Sequence, residues 1–395
     1  MKFHETVVVA GVRTPTGIFG GSLSSIPVTE LGALVIRETM NRANISGELV
    51  DEVIFGTHFQ AGIKANCARQ CAVGAGLPFE VPAFTPNKNC GTGLKAVNLA
   101  AEAITAGNAD IIVAGGGESM SRVPYLASKA RFGYRMGNDQ LLDSMFYDGL
   151  IDPFMNYHMG ITAENLAEEF GISREEQDEF ACRSHTNAAR AEKEGLFNEQ
   201  IVKVDISTKK QTKMFEKDET IRPDISMEEI AALKPAFKKD GTVTPANASG
   251  INDGAAAVLM MSAEKAKELG LKPRVKVSAF TAAGVHPSRM GYGPVPAVNK
   301  LLARTGLKVE DIDLWELNEA FAVQALVCIR ELKIDTSRVN VNGGAIALGH
   351  PVGCTGARLV VSVMHELERR NAKRAVISMC IGGGQGIATL IERCE

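Results

Sequence analysis

The chain has 395 residues, 45% hydrophobic and 23% charged, with a formal net charge of -3. That length holds two or three packed units with sizeable cores, in the composition range of a soluble globular protein. The slight acidity argues against a nucleic-acid protein, which needs a basic surface for phosphates, and no stretch has the length and apolarity of a membrane span.

The first apolar run, TVVVAG at 6–11, predicts a buried strand and not a leader peptide. Residues 28–43 predict an amphipathic helix with Leu31, Leu34, Val35 and Ile36 on its apolar side, and 51–56 a second strand. Cys67 and Cys71 lie four apart and would share a helix face. Without two further ligands at zinc spacing they predict packing, and no metal site is expected. Eight cysteines in a chain this long are not a disulfide framework. A small-residue helix follows Cys90, and 109–120 predicts a strand that ends in glycines. With neither a leader pattern nor a membrane-span pattern in the sequence, a cytoplasmic protein is expected.

Residues 121–247 differ: they are richer in aromatics, methionines and charges, and poor in strand patterns. A helix over 173–195 has Ser173 as N-cap and an acidic first turn, and 207–222 predicts a polar loop or ribbon. The α/β pattern returns at 248–262. Then come a strand at 275–284, a helix at 294–306, a strand at 311–318, helices at 319–332 and 353–370, and a glycine-centred hairpin at 372–393.

The segments NCGTGLKAVNLAAEAITAGNADIIVAGGG and GCTGARLVVSVMHELERRNAKRAVISMCIGGG echo each other. Each places a cysteine and glycine turn before a helix and ends its strand in glycines, which predicts an internal duplication. The expected organisation is an α/β fold of two similar halves. Residues 1–120, completed by 248–270, form one half and 271–395 the other, with 121–247 an inserted unit.

Four side chains stand out chemically. Cys90 sits before a helix, where unpaired N–H groups and the dipole favour a thiolate; the bland alternative is a buried cysteine in a tight turn. His350, in the glycine-rich GGAIALGHPVGCTG, could take a proton from Cys90 or polarise a carbonyl, or be an ordinary hydrogen-bonded loop residue. Cys380 precedes IGGG, where the N–H of Gly382 could turn toward an oxyanion; the alternative is a small hydrophobe at a hairpin end. Asn318 could hold a water or carbonyl, or simply cap the helix after it. Two thiols and an imidazole suit acyl-group chemistry, in which one sulfur carries the acyl and the other moves a proton. Two thiols near one carbon also predict inactivation by mild oxidant through a Cys90–Cys380 disulfide. No nucleotide-binding, ATPase or hydrolase-elbow motif is present.

The motifs VRTPTGIFGG, NKNCGTGLKAV, AGGGESMSRVPY, YHMGITAEN, NASGINDGAAA, GYGPVPA, NEAFA, GGAIALGHPVGCTGAR and CIGGGQG together resemble the thiolase family over essentially the whole chain. The resemblance implies the duplicated thiolase fold, two similar α-β-α-β-α core halves, with the inserted loop domain covering coenzyme A. It implies acetyl transfer between CoA thioesters: condensation of two acetyl-CoA to acetoacetyl-CoA and CoA, or the reverse. A broader 3-ketoacyl-CoA thiolase is the alternative, and a non-catalytic lipid-carrier relative a more distant one. Carried over by motif, Cys90 resembles the acylated nucleophile and Cys380 the α-proton base. His350 resembles its activator and Asn318 the water-holding residue of one oxyanion hole, with the N–H groups of Cys90 and Gly382 forming the other. His158, Arg222 and Ser249 match positions near CoA, and Met159 and Met290 match residues that narrow the acyl pocket. The phosphates of CoA need local cations. Lys203, Lys209, Lys210, Lys213, Lys217 and Arg222 offer them, although a solvated loop face explains most of these residues. The resemblance further implies a homotetramer built as a dimer of dimers, with CoA as substrate and product, no permanently bound cofactor, and neither nucleic-acid nor membrane partners. NKNCGTG, His286 and TIRPDISMEE depart from the commonest family pattern.

Overall fold

Valines and alanines along the strands alternate between two packed layers, the period-2 pattern of a strand buried on both faces. Val7 and Val9 of Thr6–Arg13 enter one core cluster and Val8 another. Leu259 and Met261 of Asn252–Ser262 separate from Val258 and Met260 in the same way. The protein, seen in a computed structural model, is described over residues 3–395.

Ten strands form one continuous sheet. The order is Leu314–Leu317, Arg374–Ile381, Gln385–Arg393, Val275–Gly284, Thr6–Arg13, Asn252–Ser262, Ile111–Ser119, Glu52–Gly56 and Ala83–Phe84, with Gly17–Ile18 beside Asn252–Ser262. The predicted duplication is visible in it. Thr6–Arg13, Asn252–Ser262, Ile111–Ser119 and Glu52–Gly56 pair antiparallel, antiparallel and parallel. Val275–Gly284, Gln385–Arg393, Arg374–Ile381 and Leu314–Leu317 repeat those orientations. Each half even carries a register shift in its first strand, between Val8 and Ala10 and between Val277 and Ala279. The halves join where Val7 faces Lys276 and Val8 faces Val275.

Helices complete the layers. Val28–Ala43 and Cys67–Gly74 cover the outer face of the first half, and Pro294–Thr305 and Ala322–Leu332 that of the second. Thr92–Thr105 and Thr355–Arg370 lie between the halves, sharing one cluster with both. Their N-termini touch. A Cβ on Gly356 would lie 2.2 Å from Leu94 N, and one on Gly93 would lie 2.8 Å from Gly353 O. Only glycine permits that approach, which puts the cysteine turn before one helix beside the histidine loop before the other.

Residues 121–247 carry the helices Met159–Phe170 and Arg174–Lys193, the latter opened by Ser173 as the N-cap the sequence predicts, in a capping box with Glu176. The 207–222 stretch takes the ribbon form, Val204–Asp205 pairing with Met214–Phe215. The segment is tied to the core by a buried ion pair: Arg13 Nη1 and Nη2 donate to Asp218 Oδ1 and Oδ2 at 2.7 and 2.9 Å. Lys209, Lys210, Lys213 and Lys217 are exposed, and Lys203 pairs with Glu216 at 2.6 Å, as a solvated face requires.

One boundary differs in a way that matters. The helix expected from 319 begins at Ala322, so Asn318 does not cap it. Phe321 bridges to Ala248, and the N–H of Ala322 donates to Asn247 O at 2.8 Å. A neighbouring chain segment supplies the first acceptor, so no side-chain cap is needed. Among the described residues, no helix is long and apolar enough to cross a membrane, and no group of histidine, cysteine and acid side chains is arranged to hold a metal. Cys67 and Cys71 are buried packing residues on one helix, and all eight cysteines are free.

Candidate active site

Cys90 sits in a turn that its neighbours lock. Asn89 adopts a left-handed φ of 47°, the N–H of Lys88 donates to Thr92 Oγ1 at 2.8 Å, and the N–H of Thr92 returns to Asn89 O at 3.0 Å. The sulfur therefore emerges one residue before the cap of Thr92–Thr105. It receives the N–H of Gly382 and its own N–H, both of which favour the thiolate. Burial outweighs them and raises the thiol above its ordinary value. The lowered value expected from the helix N-terminus is thus corrected: desolvation of the anion exceeds the dipole here.

His350 is fixed at its backbone and at one ring nitrogen. Its N–H donates to Asn252 Oδ1 at 2.9 Å, and Asn252 Nδ2 in turn donates to Gly17 O at 3.0 Å. Nδ1 lies 2.7 Å from Thr355 Oγ1, whose single proton goes to Pro351 O at 2.9 Å. The hydroxyl must then accept from the ring, so Nδ1 carries the proton and Nε2 is a lone pair. Among the described residues Nε2 has no hydrogen-bond partner. Burial first, then the positive fields of Arg358 and His58, push the imidazole down to about 3. His350 is therefore a neutral base at physiological pH.

Cys380 is the penultimate residue of Arg374–Ile381, just before the turn in which Gly383 and Gly384 take φ of 84° and 81°. That turn is held against the Cys90 loop by Asn89 Nδ2, which donates to Gly382 O at 3.1 Å. The Cys380 thiol is fully buried and held well above its ordinary value by burial, then by Cys90 and Cys328. Asn318 is anchored beside this strand by its N–H to Ser378 O at 2.9 Å. Its Oδ1 and Nδ2 are buried without a partner among the described residues. An asparagine with both amide atoms free needs a further polar occupant.

A cavity of about 370 Å³ brings these elements together. Cys90, His350, Cys380 and Gly382 share its wall with His158, Met159, Ser249 and Met290. His158 caps Met159–Phe170 through Nδ1 and stacks on Phe237 at 4.5 Å, and Ser249 donates its N–H to Ala320 O. Two sequence candidates are not on that wall. Asn318 is buried and not among the lining residues, and Arg222 lines an adjoining pocket with His185 and Thr220 that shares Ala248 and Gly250 with the main cavity.

The N-terminal domain model of thiolases matches residues 6–264, and the C-terminal domain model matches residues 271–393. The chain belongs to the thiolase family. It is 53% identical to the acetyl-CoA acetyltransferase of Cupriavidus necator, an alignment covering 98% of this chain and 99% of that protein. It is 52% identical to the Pseudomonas aeruginosa protein of the same name, over 99% of this chain and 100% of that one. The crystal structure of the Bacillus anthracis acetyl-CoA acetyltransferase superimposes with a TM-score of 0.97 at 46% identity, each chain covered in full (100%).

This thiolase also relies on residues that motif reading passed over. Glu118, buried at the end of Ile111–Ser119, accepts from Thr57 Oγ1 at 2.7 Å, His58 N at 2.9 Å, Phe59 N at 3.2 Å and Gly353 N at 2.9 Å. One carboxylate thus binds the loop carrying two cavity residues, His58 and Phe59, to the loop carrying His350. Asn252 and Thr355 orient His350 from either side. A buried polar residue beside a glycine run was the available clue for Glu118, but its partners lie far away in the chain.

Proposed function

We propose that this thiolase is an acetyl-CoA C-acetyltransferase, interconverting two acetyl-CoA with acetoacetyl-CoA and CoA through an acetyl-Cys90 intermediate. The observation that carries the reading is the unpartnered lone pair of His350 Nε2 on the same cavity wall as two thiols. His350 takes the Cys90 proton as the sulfur attacks the thioester carbon. The oxyanion forms against the N–H groups of Cys90 and Gly382, each worth roughly 3–4 kcal/mol in comparable holes. Cys380 is a thiol at neutral pH, so it must lose its proton before it can act as a base. The departing CoA thiolate takes that proton. Cys380 then removes the α-proton of the second acetyl-CoA, and the enolate oxygen meets His350 and a water held by Asn318. The carbanion attacks the acetyl group, and the Cys90 thiolate leaves and recovers its proton from His350.

Met159, Met290 and Phe321 line the cavity that holds Cys90, and their bulk favours short chains over the longer substrates of a broad 3-ketoacyl-CoA thiolase. Eight free cysteines suit a reducing cytoplasm. The homotetramer is supported by large apolar side chains left in solvent on residues 121–154, with Phe132 90% and Met136 98% exposed, and by Phe79 and Phe84 near the sheet edge. Arg222, Ser249 and His158 are proposed to meet CoA. The experiment is incubation with acetyl-CoA followed by peptide mass analysis and thiolysis assays. An acetyl adduct on Cys90 and faster thiolysis of acetoacetyl-CoA than of a long 3-oxoacyl-CoA are expected. No adduct, or a preference for the long chain, overturns the reading.

A further inference from the structure

His58 is a titratable side chain on the cavity wall for which the proposed reaction has no use. It is held on three sides. Its N–H donates to Glu118 Oε2 at 2.9 Å, its carbonyl accepts from Asn87 Nδ2 at 3.1 Å, and its ring Nδ1 lies 3.3 Å from Asn87 Oδ1. The orientation of Asn87 is settled twice over, because Oδ1 also accepts the N–H of Asn89 at 3.0 Å. An oxygen acceptor facing Nδ1 requires a proton there. The other nitrogen, Nε2, is left toward the cavity side, where a Cβ on the wall residue Gly149 would lie 3.2 Å from it.

Asn89 supplies the second polar group. Its Nδ2 gives one proton to Gly382 O at 3.1 Å and lies near Met159, both on the cavity wall. The second amide proton has no hydrogen-bond acceptor among the described residues. Much of the remaining cavity wall is apolar, Phe59, Phe146, Leu150 and Met159 among its side chains. Acetyl groups need no polar partner there, whereas an oxygen-bearing acyl group would meet two half-buried hydrogen-bonding side chains on the wall. Both are braced by networks that fix their direction, so they are built into the wall.

We propose that His58 and Asn89 form a polar acyl subsite beside Cys90, which accepts acyl groups carrying an oxygen function, a hydroxyl or a carboxylate, beyond the thioester carbonyl. The proposal rests on the reading of Cys90 as the acyl-carrying residue and extends it to a second substrate class. A hydroxyl can donate to Nε2 and accept from Asn89, whereas a carboxylate accepts from Asn89 and from a protonated imidazole.

The test uses the full-length enzyme and three thiolysis substrates of equal chain length: 3-oxohexanoyl-CoA, 6-hydroxy-3-oxohexanoyl-CoA and 3-oxoadipyl-CoA. At least one oxygenated substrate is expected to exceed the apolar one in kcat/KM by about tenfold or more, since a site built to hydrogen-bond a group discriminates against its absence. His58→Leu is expected to abolish or invert that ratio, and His58→Gln, which keeps a polar atom near Nε2, to retain part of it. Which oxygenated substrate wins distinguishes the hydroxyl from the carboxylate. Equal or better turnover of 3-oxohexanoyl-CoA by the wild type, or an unchanged ratio in a folded His58→Leu, overturns the subsite. Absence of both acetoacetyl-CoA thiolysis and an acyl adduct on Cys90 overturns the proposed function and the subsite with it.

Discussion

His350 Nδ1 and Thr355 Oγ1 lie 2.7 Å apart, and the threonine proton is already committed to Pro351 O. One hydroxyl, placed at the first residue of the second central helix, thereby decides which nitrogen of the imidazole is basic.

Thr355→Val removes that hydroxyl at nearly constant volume. The Nδ1 proton is then buried without an acceptor, a cost of about 1–3 kcal/mol that the ring can relieve by rotating or changing tautomer. Either response removes the lone pair from Nε2. We expect kcat for acetoacetyl-CoA thiolysis to fall by about 10–100-fold, with circular dichroism unchanged. Thr355→Ser should restore most of the rate. An unaltered kcat in Thr355→Val would show that the tautomer is set elsewhere.

Cys90 offers a direct contest between helix dipole and burial. Burial wins, so the free enzyme holds a thiol at neutral pH. The rate of iodoacetamide alkylation at Cys90 should rise with pH and reach its midpoint above that of a free cysteine. A plateau already reached at neutral pH would mean that the Gly382 and Cys90 N–H groups dominate. The expected behaviour also fits the proposed reaction, in which the thiolate would form only as His350 takes the proton, leaving the sulfur a less reactive thiol between turnovers.

The sequence made the strands, the duplication and the individual settings of Cys90, His350 and Cys380 legible, because each of these is a local pattern; that they share one cavity is the work of the fold. Branched runs mark strands, and glycines mark the turns at which the two central helices meet. Glu118 was hidden because its meaning lies in four donors brought from distant loops. For Asn318 the cap alternative stayed open in the sequence because the pattern N-E-A-F satisfies local rules. The acceptor that lets the helix start at Ala322 belongs to Asn247, 75 residues upstream (322 − 247). The charge state of Cys90 was misjudged for the same kind of reason. A helix start can be seen in a sequence, whereas the apolar cluster against which Cys90 packs includes Ile381 and Ile387 from the other half of the chain.

The Arg13–Asp218 pair tests how firmly residues 121–247 are fastened to the core. Both side chains are 1% exposed, and Asp218 Oδ1 also accepts the N–H of Thr16 at 2.8 Å. Asp218→Asn keeps an acceptor for Thr16 and leaves the guanidinium buried without its counter-charge. Breaking such a pair from one side costs about 3–5 kcal/mol. A lowered urea midpoint and earlier proteolysis within 121–247 are expected. Stability within error of the wild type would mean that the segment is held by its apolar contacts alone.

Acid stability follows from three buried histidines. His350 is depressed to about 3, and His185 and His365 to about 4, burial being the first cause in each. Their folded-state values lie below the ordinary 6.5. Between that value and about 4 the unfolded chain therefore binds more protons than the folded one. Stability is present above 6.5 and is lost as the pH falls through this window, by about 2 kcal/mol per histidine at pH 5. Glu316 acts in the opposite sense. Burial raises it to about 8, so its contribution is present below the ordinary carboxylate range and declines as the pH climbs toward 8. Urea unfolding should thus give lower midpoints at pH 5 than at pH 7. His365→Gln should flatten the acid limb, and Glu316→Gln the alkaline one. Because Glu316 opposes the histidines between pH 5 and 7, the decisive comparison is made in Glu316→Gln: loss of midpoint on going from pH 7 to 5 that is no larger there than in the wild type, and unchanged by His365→Gln, would mean that the buried imidazoles titrate normally.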